Sequence, residues 1–155
     1  MSYALPILIV SMVIPAFFAL GQRGFVPFGW WQIALRVLMV LLLLGAAVEH
    51  FFSPQLFVSI IPPVFPDRYA LVVLSGAFEA AGAIGLLLKA VRRPSALCLA
   101  LLMVAVFPAN IYVAGRAAGG LQMPGVAARS AMQMVFILLI LLAGWGIPVS
   151  VRRKR

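Results

Sequence analysis

Apolar residues in this chain come in long unbroken blocks, not in the alternation of a half-buried strand or the single stripe of a soluble helix. Five blocks stand out: Tyr3 to Leu20, about Ile33 to Phe52, Tyr69 to Leu88, Ser95 to Gly115, and Ser130 to Val151. The first, fourth and fifth carry no charge, the third carries only Glu79, and the second has Arg36 near its start and Glu49 and His50 at its end. A helix rises about 1.5 Å per residue, so about 20 residues cross the hydrocarbon core of a bilayer. Open sheets cannot satisfy their backbone groups in lipid, so the blocks read as helices. The pattern predicts an all-α integral membrane protein with five spans in one domain, residues 1–155. The first block, with Pro6 and Pro15, is the shortest of the five.

The connections are short, as between antiparallel neighbours. Ser53 to Asp67 differs, because it is apolar although Pro54, Pro62, Pro63 and Pro66 interrupt it. Leu56, Phe57, Ile60 and Ile61 share one helical face there. The expectation is a short amphipathic helix lying in the membrane interface.

Composition agrees with this reading. The chain is 65% hydrophobic and 10% charged, whereas a soluble domain is about half apolar and about a quarter charged. The net charge of +9 marks topology and contact with the lipid bilayer, not a nucleic-acid partner. Five spans put Arg23, Arg36, Lys89, Arg92, Arg93, Arg152, Arg153, Lys154 and Arg155 on one side, and Arg68, Arg116 and Arg129 on the other. Basic residues concentrate on the cytoplasmic side. The N-terminus is therefore expected outside, and the basic tail, residues 152–155, in the cytoplasm. Trp30, Trp31 and Trp145 then fall near cytoplasmic span ends, and Tyr3, Tyr69 and Tyr112 near outer ones, as aromatic belts do. No basic n-region precedes the first block, so it is read as part of the mature protein.

The polar residues inside the blocks are the candidate site. Glu79 sits mid-span, where a carboxylate must face the bundle interior and find a partner or be protonated. Small residues flank it, Ser75-Gly76-Ala77 and Ala80-Ala81-Gly82-Ala83, and these let helices approach closely. It reads equally as a structural hydrogen bond or as a ligand or proton site, with Asn110 or Gln133 the expected partner. Glu49 and His50 close the second span; adjacent residues point about 100° apart, so they do not pair. Glu49 reads best as an interfacial residue, and His50 is balanced between that and the site. Asn110 follows Pro108, which disturbs the carbonyl of Val104. It either turns inward or repairs that backbone. Gln133, one turn from Arg129, reads as an interhelical hydrogen bond or a cavity residue. His50, Glu79, Asn110 and Gln133 all lie between the outer surface and the midplane. They predict an outward-facing polar cavity with Ser53 to Asp67 as its lid.

Other chemistry lacks its residues. The one histidine cannot supply two axial ligands to a haem, Cys98 has no partner thiol, and no zinc signature, phosphate-binding glycine loop or paired-carboxylate metal site occurs. No metal and no evident cofactor are therefore expected.

Glu49-His50-Phe51 followed by Pro54, Phe57, Ile60-Ile61-Pro62-Pro63 and Pro66, then Ser75-Gly76 with Glu79 and Gly82, then Phe107-Pro108-Ala109-Asn110-Ile111-Tyr112, resembles the DoxX-like membrane proteins. The resemblance covers about Gln32 to Trp145 and implies a four-helix bundle, residues 32–147, in the bacterial inner membrane. Residues 3–20 are extra to it. Relatives that gave the family its name act as subunits of a thiosulfate:quinone oxidoreductase. The resemblance thus implies a subunit or accessory protein of a membrane redox system, with quinone as the cofactor to consider and a membrane or redox protein as partner. The alternative is a small solute or proton transporter, though five spans do not divide into equal repeats. An independent enzyme is disfavoured, because no complete catalytic set is present.

Overall fold

The computed structural model describes residues 4–21, 24–118 and 121–148. Arg23, Tyr3 and the basic tail, residues 152–155, on which part of the charge count rests, lie outside the described residues. Seven helices are described: α1 (Ala4–Ser11), α2 (Val13–Leu20), α3 (Trp30–Phe52), α4 (Pro54–Ile60), α5 (Arg68–Leu87), α6 (Arg92–Val113) and α7 (Val126–Trp145). Two-residue strands interrupt the all-helical pattern: β1 (Phe25–Val26), β2 (Ala117–Ala118), β3 (Leu121–Gln122) and β4 (Ile147–Pro148).

Four helices, α3, α5, α6 and α7, are long and apolar enough to cross a membrane. Only 33 to 39% of each span is buried inside the protein. The remaining surface is apolar too, with Leu41, Leu42, Val135 and Leu138 facing outward. A helix hydrophobic all round belongs in a lipid bilayer, so the chain is a multi-pass membrane protein.

The first apolar block is two short helices meeting at Met12, not one continuous rod. Pro15 explains the break. It has no N–H for the carbonyl of Ser11, and its ring crowds that oxygen. Pro6 falls in the first turn of α1, where the N–H groups need no helical partner. Val10 and Phe17 are nonetheless fully buried in the common core, because α1 packs on α6 and α7 and α2 packs on α7.

One end of the bundle gathers the starts of α3 and α6 and the ends of α5 and α7. A helix ends with carbonyls lacking donors, and basic side chains supply them here. Arg36 Nε and Nη2 donate to the carbonyl of Ala143, both at 3.2 Å. Gln32 Nε2 donates to Leu142 at 3.2 Å, and Arg92 Nε donates to Leu86 at 3.0 Å. The positive charges also oppose the negative ends of the α5 and α7 dipoles. At the same end β1 pairs antiparallel with β4, Val26 opposite Ile147.

The other end holds α4 and the β2–β3 hairpin, which touch each other. The Asp67 carboxylate caps α5 by accepting from the Ala70 N–H at 2.9 Å, a contact of about 1 kcal/mol. Gly76 decides how close α5 comes to α3. A Cβ there would lie 2.6 Å from the Cβ of His50, so only glycine allows this approach.

Candidate functional site

Between α3, α5 and α6, under the roof of α4, lies a cavity of about 530 Å³. Leu43, Ala46 and His50 line it from α3, and Leu71, Ser75, Phe78 and Glu79 from α5. Asn110 closes it from α6, Gln133 and Phe136 from α7, and Phe57, Ile60, Ile61 and Phe65 from the roof segment. Its wall is thus mostly apolar, with four polar side chains converging on it besides Ser75, whose hydroxyl donates to the Val72 carbonyl, the usual make-up of a small-molecule pocket.

The four polar residues form two groups. In the first, His50 and Glu79 face each other across the α3–α5 contact, Nδ1 to Oε2 3.8 Å, and both are buried. That separation is too long for a hydrogen bond. His50 Nδ1 instead lies 2.7 Å from the carbonyl of Ala46. A carbonyl only accepts, so Nδ1 carries the hydrogen and Nε2 is left to accept from, or when charged donate to, something else. Phe57 stacks on the imidazole, centroids 4.0 Å apart, and holds the ring in place. Glu79 makes no hydrogen bond among the described residues, and its Oε2 is fully enclosed without a partner.

In the second group α6 and α7 are joined by a chain of side-chain bonds. Asn110 Nδ2 donates to Gln133 Oε1 at 3.1 Å, and Gln133 Nε2 donates to the carbonyl of Met103 at 2.7 Å. Arg129 Nη2 donates to Asn110 Oδ1 at 2.9 Å. Asn110 has therefore turned inward and does not repair the helix at Pro108.

The expected bond from Glu79 to Asn110 or Gln133 is absent: those two amides are taken by each other, by Arg129 and by a backbone carbonyl. The close α3–α5 packing at Gly76, one turn from Glu79, brings His50 to the carboxyl instead. Glu49 is exposed and lines no part of the cavity, since its neighbour His50 takes the inward direction. Leu56 also faces out, while Phe57, Ile60 and Ile61 of the same segment line the cavity. Arg129, which the sequence places only in the outer basic count, belongs to the polar chain. The signal for it was its spacing of one helical turn from Gln133.

A family model described as a domain of unknown function (DUF8561) matches residues 39–147, more than half of the chain. The chain belongs to the DUF8561 family. No curated protein and no solved structure matches the chain. The DUF8561 match runs from the middle of α3 to β4 and so contains every polar residue of the cavity. It leaves out α1, α2 and the start of α3. The cavity thus lies within the matched region of this chain, whereas α1 and α2 pack onto it from outside that region.

Proposed function

We propose that this DUF8561 protein binds a quinone-like amphipathic molecule in the α3–α6 cavity, as a subunit or accessory protein of a membrane redox system. The observation that carries the reading is the enclosed Glu79 oxygen with no partner, beside a histidine with an uncommitted Nε2. A buried polar group left without a hydrogen bond costs about 1–3 kcal/mol. An oxygen-bearing ring that accepts or donates there removes that cost, and the apolar wall suits the rest of the molecule. The resemblance to DoxX-like proteins supports the quinone class. Beneath the cavity, Leu43, Leu86, Leu99, Ile137 and Leu141 form a closed core. This favours binding over passage of a solute or proton to the far face.

Native mass spectrometry of the protein in nanodiscs tests the binding. Added decylubiquinone is expected to stay bound to the wild-type chain and to dissociate from His50→Leu. Equal retention by both would remove the cavity from the explanation.

The membrane topology belongs to the same proposal: the bacterial inner membrane, N-terminus outside, C-terminus cytoplasmic, five crossings. Arg36, Lys89, Arg92 and Arg93 at one end of the bundle support it. So does the β1–β4 pairing, which agrees with α1–α2 running alongside α7 to that end. Cysteines at Gln55 and Ser59, both exposed on α4, in a Cys98→Ser background are expected to react with impermeant maleimides added to intact cells. A cytoplasmic fluorescent protein fused to the C-terminus should mature, and alkaline phosphatase fused there should stay inactive. Active phosphatase would reverse the orientation.

A further inference from the structure

The cavity is not closed on its lipid side. Two of its lining residues on α5, Leu74 and Phe78, are 52% and 62% exposed, and Ala105 opposite them on α6 is exposed as well. The gap between α5 and α6 at this height is a side opening that faces the bilayer. A second hollow of about 600 Å³ begins there. It shares Phe78, Leu102 and Ala105 with the cavity and continues past Cys98 to Ser95 and Val91. From Ala105 to Ser95 the track follows α6 for about 15 Å at 1.5 Å per residue. Small residues make it: Ala81 and Gly82 on α5 and Ala105 on α6 leave the space that larger side chains would fill. Among the described residues no charged side chain lines it.

We infer that the ligand is a long-tailed membrane molecule that enters sideways from the bilayer, its polar head at His50 and Glu79 and its tail in the α5–α6 groove. This rests on the binding reading above and adds the tail, its path and the route of entry. Two observations meet in it. The unpartnered carboxyl, only 6% exposed, calls for a polar head inside the cavity. The groove running on from the mouth is mostly apolar, and it follows α6 far enough to take a hydrocarbon chain. A tailless ring fits the cavity alone and leaves the groove to ordinary lipid. Lipid is as apolar as the groove, so the difference is one of van der Waals packing along α5 and α6 and not of removal from water.

A photoreactive probe decides it: a fully substituted benzoquinone with a decyl chain ending in a diazirine, illuminated with the wild-type protein in nanodiscs and mapped by peptide mass spectrometry. Adducts are expected to concentrate on Cys98 and Leu101, and to be lost when excess decylubiquinone is present. Lipid-facing Leu41 and Val135 should carry only background that competition leaves unchanged. Adducts on the roof at Phe57 or Phe65, displaced by tailless duroquinone, would overturn the groove while keeping the head site. A map spread evenly over all lipid-facing residues and indifferent to both competitors would overturn the groove and the binding reading together.

Discussion

Glu79→Leu is expected to raise the thermal stability of the ligand-free protein while abolishing retention of decylubiquinone. The two effects have one cause. Oε2 of Glu79 is enclosed without a hydrogen-bond partner, and His50, 3.8 Å away, has given its Nδ1 hydrogen to Ala46. Removing an unsatisfied buried polar group recovers about 1–3 kcal/mol, and leucine fills nearly the same space with apolar atoms. If Glu79 were a structural anchor between helices, the sign would reverse and the variant would lose stability. Glu79→Gln keeps the shape and a donor but cannot release a proton. It should bind the quinone more weakly than wild type without the gain in stability. Differential scanning fluorimetry in detergent and native mass spectrometry in nanodiscs read the two quantities separately. A leucine variant with a lower melting temperature and intact binding would defeat the proposal.

Gly76→Ala is expected to cost about 1–3 kcal/mol, the usual penalty for overfilling a packed contact. The added methyl would sit 2.6 Å from the Cβ of His50 and 3.1 Å from its Cγ. Neither atom is the far end of a flexible side chain, so α3 and α5 must part. His50 then moves from Glu79 and from the stacking ring of Phe57, and ligand retention should fall with stability. Gly45→Ala on the lipid side of α3 is the control. Nothing lies within 4 Å of its new methyl, and alanine in a helix is favoured over glycine by about 0.5–1 kcal/mol. Equal melting temperatures for the two variants would show that the approach at Gly76 is not what sets the helix spacing.

The four spanning helices can be read from the sequence because each is an apolar run as long as the membrane is thick, a one-dimensional property. The shared depth of His50, Glu79, Asn110 and Gln133 is also legible, since depth along a helix follows from residue number. Who pairs with whom is not. Depth says nothing about rotation around the bundle. That His50 is the side chain brought up to Glu79 is fixed by a glycine contact that two helices share only in three dimensions. Asn110, Gln133 and Arg129 satisfy one another for the same reason. The break at Met12 was within reach, because a proline acts on the carbonyl four positions earlier. The β1–β4 pairing was not, because its two-residue strands carry no pattern.

That pairing sets the order in which the molecule can be completed. Phe25 and Val26 emerge from the ribosome early, and Ile147 and Pro148 very late. The surfaces that bury Val10 and Phe17 belong to helices made after them. Contacts between segments so far apart in sequence form slowly, because a long loop must close first. The surfaces that α1 and α2 pack on are therefore complete only once α7 is in place, and the clasp of β1 and β4 closes last. A lipid occupying that vacant face in the meantime would act as a placeholder, displaced when the last helix arrives.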